Sequence, residues 1–166
     1  MCKFVQPIPD YYDFVNHLYL TYTPCLEDDY NQDTLADIIL RTYPYFWVIL
    51  THNNEPVGFV YLDNIIGNKN RFHSAEVVTC LHQKFWGSYS KYCAKIFFKQ
   101  CFDKFGFEKI KALIYPQNSR VKTLLKLCGF KKEALLKHET KRKNKLQDIE
   151  IYSLFSTYYK EKENEN

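Results

Sequence analysis

The stretch Glu76-Val-Val-Thr-Cys-Leu-His-Gln-Lys-Phe-Trp-Gly87-Ser-Tyr-Ser90 decides the fold, because it joins an apolar segment to a glycine and two serines. Residues 75–81 are short, apolar and rich in β-branched side chains, which predicts a buried strand. Gly87 can adopt backbone angles that other residues resist, and Ser88 or Ser90 can cap a following helix. A helix that starts at a glycine turn points free N–H groups at one spot, so the stretch predicts a phosphate site.

The segment after Gly87 has apolar side chains at helical spacing, which predicts a helix to about Lys104 with Gly106 as its C-cap. Its apolar face consists of Tyr89, Tyr92, Cys93, Ile96, Phe97 and Cys101, interrupted by Gln100. Residues 108–115 form the next predicted strand. Because a helix separates this strand from the one at 75–81, we expect the two to be parallel neighbours in a right-handed βαβ unit.

The rest of the chain predicts further strands and helices around this unit. We expect a strand at 3–6, a helix capped by Asp10 and broken by Pro24, a helix at 31–41, a hairpin of strands 45–51 and 57–62, a polar loop at 63–72, a helix from Pro116 to Gly129, and strands at 130–138 and 147–155 joined by a basic turn at 141–145. The fold class is therefore α/β: one domain, residues 1–159, with a mixed, mostly antiparallel sheet, one parallel crossover and flanking helices. The charged residues 160–166 are expected to be a disordered tail.

Composition and charge narrow the function classes. The net charge of +4 favours an anionic ligand but is too small to indicate nucleic acid. The basic run 137–145 lacks interleaved aromatic residues, so a solvated turn is favoured over a nucleic-acid contact. Six cysteines without a CxxC pair favour free thiols in a reducing cytoplasm over disulfides or a zinc site, so no metal is expected. Neither a signal peptide nor a membrane-spanning run of apolar residues is recognised.

Three segments, in this order, resemble the GNAT family of acetyl-CoA-dependent N-acetyltransferases, and within it the subgroup of ribosomal-protein and spermidine acetyltransferases. Residues 75–87 are similar to the family's strand and pyrophosphate loop. The segment from Pro116-Gln-Asn118 to Gly129-Phe130 resembles its Asn-to-Gly-Phe segment. Asp148-Ile-Glu-Ile-Tyr152, after a basic turn, resembles the last strand of the subgroup. The resemblance implies the GNAT fold over nearly the whole chain.

The resemblance also implies a mode of cofactor binding. Acetyl-CoA would lie where the strands that end at Leu81 and Tyr115 separate, with its pantetheine along the backbone of residues 79–81 and its pyrophosphate at residues 85–90. The expected cofactor-binding residues are Thr79, Cys80, Leu81, Lys84, Phe85, Trp86, Gly87, Ser88, Tyr89, Ser90 and Asn118.

Two positions depart from the family pattern. Tyr89 stands where a small residue is usual, so its side chain either points into the core or narrows the pyrophosphate site. Leu125 stands where many members carry the tyrosine that protonates the leaving thiolate. These departures leave open an alternative, a degenerate GNAT-fold module that binds CoA or a partner without turnover.

The reaction implied is direct attack of a neutral primary amine on the thioester in a ternary complex. Because a free alkyl amine has a pKa of about 10, a general base is needed near neutral pH. Glu76 on the cleft strand is the candidate base, with a surface or salt-bridged carboxylate as the alternative. Tyr115 at the end of the partner strand is the candidate acid, or else one more half-buried tyrosine. Asn118 is either a cofactor contact or a helix cap, and His82 either a phosphate contact or an exposed turn residue.

The acceptor is expected to be a protein N-terminus or side chain, or a small polyamine-like molecule. The acidic segment 27–29 lies where this family admits its acceptor, and it would attract a cationic amine. The chain is expected to act as a monomer or homodimer, with no membrane and no nucleic-acid partner.

Overall fold

In the computed structural model, the described part of the chain forms a seven-stranded sheet with helices on both faces. The described residues are 1–68, 70–157 and 159, and the predicted tail at 160–166 lies outside them. The elements in chain order are β1 (Cys2–Val5), α1 (Pro9–Leu26), α2 (Leu35–Thr42), β2 (Phe46–Thr51), β3 (Pro56–Asn68), β4 (Arg71–Leu81), a short 3-10 turn (Gln83–Phe85), α3 (Ser88–Asp103), β5 (Lys109–Ile114), α4 (Ser119–Leu127), β6 (Lys131–Arg142) and β7 (Lys145–Phe155).

The strand order is β1-β2-β3-β4-β5-β7-β6. Of the neighbouring pairs in the described sheet, β4 and β5 run parallel and the others run antiparallel. Helix α3 makes the crossover between β4 and β5. The predicted α/β class, with a mostly antiparallel sheet and one parallel βαβ unit, is confirmed.

The central strands are buried on both faces because helices cover each side of the sheet. Every residue of β2 is buried, and its alternate side chains belong to two cores. Trp47 and Ile49 pack with α3 and α4, whereas Phe46, Val48 and Leu50 pack with α1 and α2. This period of two is the geometry of a strand between two apolar layers.

The predicted polar loop at 63–72 was wrong, because β3 continues to Asn68 and β4 already starts at Arg71. The extension alternates exposed and half-buried positions, and the pairing has irregularities near Ile66. The strand was not predicted because many of its side chains are polar and face solvent. Backbone pairing with the neighbouring strand, and not burial, holds it in place.

Two helix boundaries also differ from the prediction. Helix α1 does not break at Pro24 but continues to Leu26. A proline removes one N–H donor, and here it does so within the last turn. Helix α2 starts at Leu35 instead of Asn31, because Thr34 and Asp37 form a capping box.

The last hairpin was predicted with a wider turn than the structure has. Strands β6 and β7 are joined by a two-residue turn, Lys143-Asn144, in which both residues have positive φ, 52° and 59°. Such primed turns match the twist of paired strands. All six cysteines are free thiols, and no helix among the described residues is long and apolar enough to cross a bilayer.

Gly58 sets how closely β3 approaches β4 at the end of the cleft strand. A Cβ atom at this position would lie 2.3 Å from the Cys80 carbonyl oxygen and 2.9 Å from the Leu81 Cα atom. Both contacts are with backbone, which cannot rotate away as a side chain can.

We expect Gly58→Ala to lower the free energy of unfolding by about 1–3 kcal/mol, the usual cost of overpacking. Urea denaturation measures this. Asn53→Ala, at an exposed site in the preceding turn, should change it by less than about 0.5 kcal/mol. Equal stability of Gly58→Ala and the wild type would show that β3 and β4 need no such close approach.

Candidate active site

Strands β4 and β5 separate after only three paired positions. The parallel register runs Ser74 to Lys109, Ala75 to Ile110 and Glu76 to Lys111. Beyond Glu76, β4 stays paired with β3 as far as Leu81, and β5 stays paired with β7 as far as Ile114. Half of the backbone groups of residues 77–81 therefore face a cleft with no strand opposite, which is an edge that an extended ligand can pair with.

Glu76 lies where the two strands separate. Its carboxylate accepts hydrogen bonds from Lys111 Nζ at 3.0 Å and from Asn64 Nδ2 at 2.8 Å, and the side chain is 20% exposed. These contacts agree with the alternative considered for Glu76, a salt-bridged carboxylate. Each carboxylate oxygen has two lone pairs, so both retain room for one further hydrogen bond.

The side chains of the other cleft residues of β4 are engaged within the protein. The Thr79 hydroxyl donates to the Phe59 carbonyl at 3.0 Å. Cys80 packs into the core below α1, where burial raises the pKa of its thiol to about 12. Leu81 packs into the opposite core, and its carbonyl accepts a hydrogen bond from Trp86 Nε1 at 2.8 Å.

The turn between β4 and α3 leaves the helix N-terminus without a side-chain cap. Gly87, with φ of 96°, is the N-cap residue. Neither serine caps the helix as predicted: Ser88 is the first helical residue, and the Ser90 hydroxyl donates to the Gly87 carbonyl at 2.9 Å. The first N–H groups of α3 are therefore not used by a capping side chain, which is the condition for anion binding there.

The turn leaves open space beside Gly87. A Cβ atom built on Gly87 would meet nothing within 4 Å. Tyr89 does not fill this space, because its ring packs against the core beside Phe85 and its hydroxyl is buried near Cys93. Of the two orientations considered for Tyr89, the one into the core is observed.

The side chains of the turn differ in exposure. Lys84 is exposed, while Phe85 and Trp86 are half-buried. His82 is a cap rather than a free turn residue, since its Nδ1 accepts from the Lys84 N–H at 3.3 Å. Arg120, which the sequence analysis did not single out, lies with its guanidinium carbon 4.0 Å from the centre of the Trp86 ring.

The far side of the cleft ends at Tyr115 and Asn118. Tyr115 is 8% exposed, and Arg142 lies over its ring at 4.6 Å. Burial is the main cause that raises the pKa of Tyr115, and Arg142 opposes it. Asn118 caps α4, accepting from the Val121 N–H at 3.2 Å through its side-chain oxygen. The predicted cap is confirmed, and the side-chain nitrogen of Asn118 is not part of it.

The acidic segment 27–29 serves two purposes. Asp29 accepts from the N–H groups of Lys143 and Asn144 at 2.8 and 2.7 Å, and Asp28 accepts from the Thr140 hydroxyl at 2.6 Å. These two carboxylates therefore bind the α1–α2 loop to the β6–β7 hairpin. This also makes the basic turn part of a structural contact instead of a free basic surface.

Glu27 is the carboxylate of this segment that lies beside Tyr19 of α1. It is half-buried, and burial, followed by Asp28 and Asp33, raises the pKa of its carboxyl group. Its charge also raises the pKa values of Tyr61 and Tyr115. The charge of Glu27 thus acts on Tyr61 of β3 and on Tyr115 at the end of β5, two residues that are distant from it in the sequence.

Comparison with known proteins identifies the family. The model of the acetyltransferase (GNAT) domain matches residues 8–131. The chain belongs to the GNAT family of acetyltransferases. It is an N-acetyltransferase that uses acetyl-CoA as co-substrate and an amine as acceptor.

Solved structures of GNAT enzymes share the fold. Spermidine N-acetyltransferase from Vibrio cholerae, in complex with CoA and spermine, is 17% identical, with a TM-score of 0.80 over 95% of this chain and 97% of that chain. A GNAT acetyltransferase from Bacillus anthracis is 15% identical, with a TM-score of 0.73 over 93% of this chain and 94% of that chain. No curated protein sequence matches the chain. Among the described residues, no group of three or more His, Cys, Asp or Glu side chains is arranged to hold a metal ion.

Gly87→Glu should abolish the rise in melting temperature that acetyl-CoA causes, because the new carboxylate would repel the phosphates and fill the open space at the turn. Thermal melting with and without acetyl-CoA measures this. Gly106→Glu is a matched control, since Gly106 also has positive φ, 75°, and nothing within 4 Å of a built Cβ atom. It should keep the rise. A full rise with Gly87→Glu would place the pyrophosphate elsewhere.

Proposed function

We propose that this enzyme acetylates a polyamine-like primary amine by direct attack on acetyl-CoA in a ternary complex. The observation that carries the proposal is the cleft between β4 and β5, which leads directly to the uncapped N-terminus of α3. One end of this cleft suits phosphates, and Tyr115, whose pKa the negative charge of Glu27 helps to raise, lies at its far side. Acetyl-CoA, which is negatively charged, would therefore bind at the α3 end, and a positively charged amine would enter from the region near Glu27.

The proposed cofactor contacts follow the cleft from β4 to α3. Acetyl-CoA supplies the acetyl group as an activated thioester. The backbone of residues 79–81 would hold the pantetheine, the N–H groups of residues 85–90 would hold the pyrophosphate, and exposed Lys84 would add positive charge. Asn118 would contribute its side-chain N–H groups, which are not needed for its capping role.

Glu76 is the proposed general base. It lies where the strands separate, and its oxygens can each accept one more hydrogen bond besides those from Lys111 and Asn64. It would take the proton that the amine loses, directly or through one water. Lys111 would hold the carboxylate in place during this transfer.

Tyr115 is the proposed general acid for the leaving thiolate. The ordinary pKa of a tyrosine, about 10, keeps the hydroxyl protonated at neutral pH, and burial raises the pKa of Tyr115 further, so the hydroxyl has a proton to donate. It would take the place of the tyrosine that many family members have where this chain has Leu125.

Glu27 is the proposed site for a second, charged nitrogen of the acceptor. A polyamine has both groups that the cleft requires: an amine that loses its proton to react and a distant ammonium group that pairs with a carboxylate. The Vibrio cholerae enzyme, which shares the fold, is a spermidine N-acetyltransferase with bound spermine. The negative charge of Glu27 favours such an acceptor over a neutral amine.

Location and assembly belong to the same proposal. Six free thiols are consistent with a reducing compartment such as the cytoplasm. The chain would act there as a monomer or a homodimer.

Thiol release from acetyl-CoA across an amine panel tests the acceptor class. Spermidine and spermine should react faster than a peptide N-terminus or a lysine side chain. Binding of acetyl-CoA without release for any amine would instead favour the degenerate module that binds without turnover.

For a polyamine acceptor, Glu27→Gln should raise KM about tenfold or more, because a charge-assisted contact of about 1.5 kcal/mol is lost. Acetyl-CoA binding should not change. Glu55→Gln, at an exposed turn between β2 and β3, is the control and should keep the wild-type KM. An unchanged KM in Glu27→Gln would show that the acceptor does not bind beside the α1–α2 loop.

Tyr115→Phe should lower kcat about 100-fold, within the usual range for loss of a general acid, while leaving the Kd for acetyl-CoA unchanged. In the wild type, the raised pKa of Tyr115 should place the alkaline loss of kcat above about pH 10, the ordinary tyrosine value. This limb should be absent in Tyr115→Phe. Steady-state kinetics over pH measure both, and a wild-type kcat in the variant would exclude Tyr115 as the acid.

A further inference from the structure

Arg120 joins the two walls of the cleft at the phosphate end. It is the second residue of α4, on the wall that continues from β5, and its guanidinium carbon lies 4.0 Å from the centre of the Trp86 ring. Trp86 belongs to the opposite wall and directly precedes Gly87. The contact therefore brings a positive charge from α4 to the turn that is expected to bind pyrophosphate.

Trp86 is held in a defined orientation. Its Nε1 donates to the Leu81 carbonyl at 2.8 Å, and the Tyr22 ring of α1 lies 5.9 Å from it, centre to centre. A ring held by a hydrogen bond at its edge and by a tilted neighbouring ring is a stable platform for a guanidinium group. A guanidinium group placed over an aromatic face is attracted by the electron-rich ring.

The guanidinium of Arg120 retains its hydrogen-bonding capacity. No Asp or Glu of the described residues forms an ion pair with it, whereas Lys111 and Lys122 nearby in the chain are paired with Glu76 and Glu150. Stacking engages the flat face of the group, and the five N–H donors lie along its edge. Arg120 is exposed, so these donors are accessible to a ligand.

We propose that Arg120 is a binding residue for the pyrophosphate of acetyl-CoA, held in position by stacking on Trp86. The proposal rests on the proposed binding of acetyl-CoA at the Gly87 turn and extends it to a side chain of the opposite wall. Arginine is suited to this task because its planar donors bind phosphate oxygens in pairs. Phosphate would thus be bound from both sides of the cleft, by backbone N–H groups of α3 and by a side chain of α4.

Isothermal titration of the ligand-free protein with CoA tests the proposal without relying on turnover. Arg120→Ala should raise the Kd about 10- to 100-fold, as expected for loss of hydrogen bonds to a charged group. Arg120→Lys should recover part of the affinity, because it keeps the charge but not the paired geometry. Lys126→Ala, an exposed cation on the same helix, is the control and should bind as the wild type does.

Two further ligands identify the group that Arg120 contacts. Dephospho-CoA lacks the 3′-phosphate but keeps the pyrophosphate, so it should show the same loss with Arg120→Ala. Pantetheine has no phosphate, so the wild type and Arg120→Ala should bind it equally. A structural role for the Arg120 stack on Trp86 would instead weaken all three ligands alike.

Each other outcome overturns the proposal in a distinguishable way. Equal CoA affinity of the wild type and Arg120→Ala would exclude Arg120 as a ligand while leaving the proposed site intact. A loss that disappears with dephospho-CoA would assign Arg120 to the 3′-phosphate instead. Failure of the wild type to bind CoA would reject the proposed site and, with it, the role of Arg120.

Discussion

The separation of β4 from β5 is the constraint on which the active site depends. Each strand loses one partner beyond Glu76 and Lys111 but keeps the other, since β4 stays paired with β3 and β5 with β7. The backbone groups that face the cleft remain free to bind an extended ligand, while the outer edges keep the strands in place. Gly58 supports this arrangement, because the absence of a side chain lets β3 lie close to Cys80 and Leu81.

Local patterns predicted the centre of the fold well. The apolar run at 75–81, the glycine at 87 and the helical spacing after it indicated a βαβ unit, and the structure has one. The prediction was wrong where backbone pairing overrides composition, as in the polar residues 63–72, which extend β3 and β4. It was also wrong at Pro24, because the last turn of a helix tolerates the loss of one donor, and at Ser88 and Ser90, because Gly87 occupies the cap position itself.

Long-range contacts explain which site residues the sequence did not reveal. Arg120 approaches Trp86 from α4, 34 positions further along the chain. Glu27 was recognised only as part of an acidic segment, because its distinction from Asp28 and Asp29 depends on contacts with a hairpin more than a hundred residues away. Residue type alone does not separate a carboxylate that anchors a loop from one that does not.

The two departures from the family pattern have different consequences in the folded protein. Tyr89 does not obstruct the turn before α3, because its ring packs against the core and the space beside Gly87 stays open. Leu125 is an apolar side chain, 5% exposed, and it packs in the core. It therefore cannot supply the proton that a tyrosine at this position would donate. In the proposed mechanism a hydroxyl reaches the cleft from Tyr115 at the end of β5 instead. The same chemical function can then be provided by a different residue of the same wall, because catalysis requires a proton donor close to the leaving group and not at one fixed position in the sequence.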